Sequence, residues 1–314
     1  MFLDIVLLVV GMVLLIKGAD FFVDGSSKIA KAFHIPSLII GLTLVSMGTS
    51  APELSVSLNA ALSGSNEICL GNVVGSNLCN TLLILGISAV FVPLLITKDM
   101  KKFDIPILVG IYALMVLFAF VITPEKLDRV ESIVLLLSFA GYLVLLLFRA
   151  KKEAVQEEEE EKLSKGKLAL SAVLALVGLA AIIFGGDLVV DSASSIATQL
   201  GMSETLVGLT IVAVGTSLPE LVTSVVAAMK KENDIAVGNV IGSNIFNVLL
   251  ILGTTSVIKP LAINSAVMID LVILLGTGLI VLLISQLFKD VKRWHGIVLM
   301  LLYVAYLAYI IIRG

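Results

Sequence analysis

Charge is what this sequence has least of. Asp, Glu, Lys and Arg make up 14% of its 314 residues, while 59% are hydrophobic. A soluble domain sits nearer a quarter charged, so an ordinary water-facing surface is excluded. Histidine and cysteine are also scarce, at two each. His34 and His295 are expected in loops, and no His or Cys falls where it could join the other candidate ligands, which disfavours zinc or copper. Cys69 and Cys79 sit on one predicted helix, roughly 15 Å apart at ~1.5 Å rise per residue. That is too far for a disulfide, and both read as small apolar side chains. Nucleophile–base pairs, phosphate loops and cofactor motifs are missing too. No enzymatic role, resident cofactor or nucleic-acid partner is expected. The net charge of −3 is small, and the placement of charge says more than its sum.

What the chain has is long apolar runs of about 20 residues, enough for a helix to cross roughly 30 Å of hydrocarbon. Ten spans are predicted, at about 2–23, 38–62, 68–94, 104–122, 129–149, 167–191, 205–229, 234–257, 265–288 and 293–312. Backbone polar groups in lipid must pair internally, so the spans are helices. The first run has no basic region ahead of it and no small-residue cleavage site behind it. It reads as a spanning helix and not as a removable signal. Sixteen Lys and Arg fall on one set of alternate loops, against Lys126, Arg129, Lys259 and Arg313 on the other. The positive-inside rule then places both termini outside and the central loop in the cytoplasm of a multi-pass protein of the cell membrane. That loop, 150–166, contains Glu157 through Glu161. It reads as a solvated linker, with a weak cation-sensing segment as the sharper alternative, and it is too short to fold as a domain.

An internal repeat organises the chain. Residues 18–86 align with 185–253 at a constant offset of 167, without a gap and with about half the positions identical. Ser46 through Glu53 (Ser-Met-Gly-Thr-Ser-Ala-Pro-Glu) matches Ala213 through Glu220 (Ala-Val-Gly-Thr-Ser-Leu-Pro-Glu). Gly71 through Asn80 matches Gly238 through Asn247. Five spans per half is an odd number, so the second half enters the membrane from the opposite side. The expected fold is an all-α membrane protein of ten transmembrane helices, built as two inverted five-helix repeats with broken helices at the site. The first repeat is 1–149, the acidic linker 150–166 and the second repeat 167–314.

Glu53 and Glu220 lie deep in apolar spans, where a charged residue costs roughly +2.5 to +3.5 kcal/mol. No Lys or Arg falls at comparable depth to pair with them, and bound cations are the natural counter-charge. The plain alternative is a pair of protonated structural glutamates. Thr43, Ser46, Ser50, Glu53 and Ser57 recur at intervals of three and four, which puts them on one helix face. Thr210, Ala213, Ser217, Glu220 and Ser224 do the same. Such a stripe suggests an ion path, and helix-to-helix hydrogen bonding accounts for one or two of its members. Pro52 and Pro219 each remove a helical bond to the carbonyl four residues earlier, Gly48 and Gly215. Carbonyls near Thr49 and Thr216 are therefore expected to face a cavity. Ser76 with Asn80, and Ser243 with Asn247, share helix faces beside Gly71-x-x-x-Gly75 and Gly238-x-x-x-Gly242, spacings that allow close helix approach. Asn72, Asn77, Asn239 and Asn244 read first as interhelical hydrogen-bonders. An all-oxygen set suits hard cations. Two carboxylates balance one divalent ion or several monovalent ions in the same space, which is antiport in outline.

Gly-Thr-Ser-x-Pro-Glu in both halves, each followed by Gly-Asn-x-x-Gly-Ser-Asn, resembles the alpha repeats of the calcium:cation antiporter superfamily, in particular its prokaryotic sodium/calcium exchanger branch. The resemblance spans essentially the whole chain. It implies Ca²⁺ held by Glu53 and Glu220 with backbone oxygens at Thr49 and Thr216. It implies Na⁺ sites involving Ser46, Ser50, Ser76, Asn80, Ala213, Thr216, Ser217, Ser243 and Asn247. It also implies alternating access by sliding of the first and sixth helices over a fixed core. The expected function is secondary active exchange of Ca²⁺ for Na⁺ by a chain that works as a monomer. The alternatives are H⁺-coupled or K⁺-dependent divalent antiport on the same scaffold, and a cation channel, against which the inverted repeat argues. Two departures stand out. Asn247 occupies a position that is Asp in some exchangers, and Ser46 is matched by Ala213.

Overall fold

A computed structural model describes residues 1–154, 165–202 and 213–313. Most of the central linker and the first part of the seventh predicted span, with Thr210, lie outside the described residues. The helices are α1 (Phe2–Ala32), α2 (Ser37–Thr49), α3 (Ala51–Ser63), α4 (Glu67–Phe91), α5 (Met100–Ile122), α6 (Arg129–Ala154), α7 (Lys165–Gln199), α8 (Leu218–Met229), α9 (Asn233–Ile258), α10 (Ser265–Leu287) and α11 (Arg293–Arg313). Among the described residues, eight of these are long and apolar enough to cross a membrane, and α2 with α3 forms a ninth candidate bent by 48°. A helical turn, Ala213–Gly215, precedes α8.

Two expectations need correcting. α1 and α7 run past the predicted ends at 23 and 191, to Ala32 and Gln199. The apolar runs end at the first acids, but the helices continue because each has the other to pack on. His295 is not in a loop. It sits in the first turn of α11, 1% exposed, with Nδ1 accepting the Lys292 N–H at 2.9 Å. Its flanking charges, Lys292 and Arg293, resemble loop composition, while the aromatic rings of Phe288 and Trp294 close over it. Short extended segments also occur where helices alone were expected. β1 (Leu94–Leu95) pairs antiparallel with β4 (Asp290–Val291), and β2 (Lys126–Leu127) with β3 (Leu261–Ala262).

The repeat is visible in the backbone. Left-handed residues end helices at His34 and Gly201, and again at Gly64 and Lys231, each pair 167 residues apart. Glycine enters this region without a Cβ clash, and one member of each pair is glycine. α1 and α7 are antiparallel and touch through glycines. A Cβ on Gly11 would lie 2.9 Å from the Gly185 carbonyl oxygen, and one on Gly18 would lie 2.8 Å from that of Gly178. Because Gly11 corresponds to Gly178 and Gly18 to Gly185, these are one contact seen from either copy. A leucine cannot fit against backbone at that distance, and overpacking costs typically about 1–3 kcal/mol. Gly18→Leu is expected to lower the unfolding temperature in detergent, whereas Gly141→Leu, with nothing within 4 Å of its Cβ, leaves it unchanged.

Side chains such as Phe2, Leu137, Phe148, Leu176 and Ile312 are exposed, as a lipid-facing belt requires. Almost every residue of α9 is buried, and most of α4. These two helices form the centre, crossed closely by α2. A Cβ on Gly238 would meet the Leu38 carbonyl at 3.0 Å, and one on Gly242 would meet the Leu42 Cα at 2.8 Å. The second Gly-x-x-x-Gly thus permits the close approach expected of it. The equivalent neighbour of Gly71 and Gly75 falls largely outside the described residues.

Candidate cation site

The helix breaks fall at equivalent places. Ser50 (φ −84, ψ 9) separates α2 from α3, and Ser217 (φ −91, ψ 7) precedes α8. Pro52 and Pro219 are the second residues of α3 and α8. Their missing N–H groups remove the helical bond to the carbonyl four residues earlier, Gly48 and Gly215, and at Gly48 a backbone N–H of the α2 C-terminal cap takes up that carbonyl instead. Glu53 and Glu220 follow in the first turns, where the positive end of the helix dipole favours a carboxylate. Both are 0% exposed.

Each carboxylate is reached by one hydroxyl of its own copy and one of the other. Ser76 and Ser217 Oγ donate to Glu53 Oε1 at 3.5 and 3.4 Å. Ser243 and Ser50 Oγ donate to Glu220 Oε1 at 3.5 and 2.8 Å. Asn72 Nδ2 donates to the Glu53 carbonyl and to Ser57 Oγ, at 3.2 and 2.9 Å. Asn239 does the same to the Glu220 carbonyl and Ser224 Oγ, at 3.3 and 2.9 Å. Asn80 Nδ2 donates to Asn244 Oδ1 at 3.1 Å, and Asn247 Nδ2 to Asn77 Oδ1 at 3.0 Å.

These bonds leave a specific remainder. Among the described residues, Glu53 Oε2, Glu220 Oε2, Asn80 Oδ1 and Asn247 Oδ1 are buried with no hydrogen-bond partner. All four are acceptors, at two equivalent pairs of positions. A buried acceptor without a donor costs about 1–3 kcal/mol, more when charged, and no ion pair reaches either glutamate among the described residues. Unpartnered oxygen acceptors carrying two negative charges match a hard cation.

The other predicted residues divide into near and outer. Ser46 turns its hydroxyl back to the Thr43 carbonyl (3.2 Å) and offers its own carbonyl to Ser243 Oγ (3.4 Å). A backbone contribution at that position explains why the matching residue can be Ala213, whose side chain lies outside what is described. Thr49 is buried, its hydroxyl 3.1 Å from Asn239 Oδ1. The Thr216 hydroxyl has no partner among the described residues. Thr43 bonds back to its own helix, at the Ile39 carbonyl. Ser57 and Ser224 touch asparagines and no carboxylate. The stripe therefore holds the site as well as lining it.

Sequence reasoning missed three features. The helices widen into i→i+5 turns at Cys79–Ile84 and Asn247–Leu252, around the two asparagines, as helices often do at functional positions. Thr81 supports the centre by accepting from Asn244 Nδ2 at 2.8 Å. A cleft of about 480 Å³ runs from α7 to both breaks, lined by Asp187, Val190, Asp191, Pro52, Thr216 and Pro219 among others. Asp187 and Asp191 already stood in the repeat alignment. Their recurrence, as acids, inside an otherwise apolar helix was the available signal.

Fold and site together define a multi-pass helical membrane protein with an acidic, oxygen-lined centre made from two copies of one segment. The pattern of the sodium/calcium exchanger protein family matches residues 3–148 and 170–312, and the chain belongs to that family, one of transporters and not of enzymes. It is 38% identical over 310 residues to the putative antiporter CaxA of Alkalimonas amylolytica, covering 96% of each chain. It is 34% identical to the sodium/calcium exchanger MaX1 of Methanosarcina acetivorans, covering 97% of each. The structure of the sodium-calcium exchanger NCX_Mj soaked with 10 mM Na⁺ and zero Ca²⁺ superposes with a TM-score of 0.86 at 31% identity, over 98% of each chain.

Proposed function

We propose that this protein exchanges Ca²⁺ for Na⁺ across the membrane by alternating access. The observation that carries the reading is the set of four buried, unpartnered oxygens on Glu53, Glu220, Asn80 and Asn247. Ca²⁺ sits between the two carboxylates with carbonyls of Thr49 and Thr216. Na⁺ ions take overlapping positions among Ser46, Ser50, Ser76, Asn80, Ala213, Thr216, Ser217, Ser243 and Asn247. Either load neutralises the carboxylates, and only the neutralised centre changes sides cheaply. Soaks of NCX_Mj crystals with Na⁺, Ca²⁺ and Sr²⁺ fit the same ion classes.

The scaffold of this reading is ten helices in two inverted repeats, 1–149 and 167–314, joined by the acidic linker 150–166. The antiparallel α1 and α7, and the exchange of equivalent partners between Gly11–Gly185 and Gly18–Gly178, support it. The chain works as a monomer in a cytoplasmic membrane, termini outside and linker inside. In that orientation the cleft beside Asp187 and Asp191 opens outward.

Reconstituted liposomes test the function. Labelled Ca²⁺ uptake is expected when Na⁺ is loaded inside, and is not expected when K⁺ or a pH gradient replaces it. Uptake that ignores the Na⁺ gradient contradicts the reading. Asn239→Ala removes the two donors that fix the Glu220 carbonyl and Ser224. At about 0.5–1.5 kcal/mol per bond, Ca²⁺ affinity is expected to fall roughly ten-fold, measured as the concentration for half-maximal uptake.

A further inference from the structure

Asp20 and Asp24 on α1 correspond to Asp187 and Asp191 on α7, yet the two pairs are treated differently. Lys230, at the end of α8, lies 2.5 Å from Asp20 Oδ1 and 2.6 Å from Asp24 Oδ1, and also donates to the Asp20 carbonyl at 3.0 Å. One turn further along α1, Ser27 Oγ donates to Glu232 Oε1 at 2.7 Å. The short link between α8 and α9 thus holds α1 at four points. The corresponding link between α3 and α4 carries Ser63 where Lys230 stands and Ser65 where Glu232 stands. Ser63 bonds locally, to the Ala60 carbonyl. Among the described residues Asp187 and Asp191 have no ion pair, and Ser194, the counterpart of Ser27, has a buried hydroxyl without a partner.

Packing follows the same division. Val23 is 0% exposed and Thr49 is buried. The equivalent residues Val190 and Thr216 are partly exposed and line the cleft. The side that is clamped is shut, and the side that lacks the clamp is open.

We propose that Lys230 is the centre of a one-sided clamp, with Asp20, Asp24, Ser27 and Glu232, that holds the pathway closed on the lysine-rich face and biases the exchanger toward opening on the other. The inference rests on the alternating-access reading. A scaffold of two equal halves has no intrinsic preference between its two openings, so the bias must come from residues that differ between the halves. Lys230 against Ser63 is such a difference. At the α3–α4 link the positions of Lys230 and Glu232 are serines, and the lysine beside that link, Lys259, whose Nζ would lie 2.8 Å from a Cβ on Gly64, makes no ion pair with Asp187 or Asp191 among the described residues. The Lys230 ion pair must break for the site to face the lysine-rich side.

Val23→Cys reports the opening. Full-length protein in liposomes is treated with a membrane-impermeant maleimide from the lysine-rich side, with the parent, carrying only the buried Cys69 and Cys79, as blank in each background. Lys230→Gln is expected to speed labelling of position 23 about ten-fold, the size of shift that loss of a partly buried, doubly paired lysine supports. Lys230→Arg is expected to restore slow labelling. Lys231→Gln, exposed on the same link, is expected to leave it slow. Asp24→Asn breaks the clamp from α1 and is expected to act like Lys230→Gln, which decides the matter if Lys230→Gln fails to fold. Labelling in folded Lys230→Gln or Asp24→Asn within two-fold of Val23→Cys alone, or equal acceleration by Lys231→Gln, overturns the clamp. Labelling needs no transport, so absence of Na⁺-driven uptake in the parent would sink the exchange reading separately.

Discussion

Glu53→Gln abolishes Na⁺-driven Ca²⁺ uptake, and Glu220→Gln does the same. The substitution removes one of two charges that face the cation and little else. Glutamine keeps an oxygen to accept from Ser76 and Ser217 at position 53, or from Ser50 and Ser243 at position 220. Breaking a buried charge pair costs at least about 3 kcal/mol, which is a loss of more than about 100-fold at roughly 1.4 kcal/mol per decade. The same change works in the opposite direction on the ion-free protein. Removing an uncompensated buried carboxylate relieves its desolvation, so the unfolding temperature in chelator rises while the stabilisation by added Ca²⁺ disappears. A differential melting experiment in detergent, with and without Ca²⁺, reads both effects. A variant that still gains stability from Ca²⁺ as the parent does would remove that glutamate from the site.

Asn247→Asp makes stability depend on cations. Asn247 Nδ2 donates to Asn77 Oδ1, and Asp has no hydrogen to give. The new carboxylate would face that carbonyl oxygen as a third buried negative charge in the same centre, a cost of about 3–5 kcal/mol when unpaired. Added Na⁺ supplies the missing charge, and ligand binding to the folded state stabilises it by mass action. The expected result is a large fall in unfolding temperature in Na⁺-free buffer that Na⁺ reverses in a concentration-dependent way, against a smaller Na⁺ response in the parent. Asn247→Ala, which loses the hydrogen bond without adding charge, is expected to fall less and to show no enhanced response.

Much of this was legible in the sequence because the repeat compares the chain with itself. The offset of 167 picked out Glu53 with Glu220, Asn80 with Asn247 and the two prolines, and the structure keeps those pairs in matched bonding. Helix length was less legible. α1 and α7 are long because glycines at 11, 18, 178 and 185 bring them together, and hydropathy does not see a partner. His295 was misjudged for the same reason, since local charge hides the aromatic contacts that bury it. The stripe on α2 and α3 allowed one or two members to serve as hydrogen-bonding glue without saying which; the structure gives that part to Thr43, which bonds to backbone, and Ser57, which bonds to an asparagine. Lys230 was invisible by its nature. It matters through a difference between the halves, and a search for repeats rewards what is the same.

The central claim is that one divalent ion is shared by both glutamates. Anomalous diffraction from crystals soaked in Sr²⁺ with Na⁺ removed tests it directly. A single strong peak within bonding distance of Glu53 and Glu220 together, lost in Glu53→Gln and in Glu220→Gln, is the predicted result. A peak bound to only one of them, or one that persists when either is replaced, would contradict it.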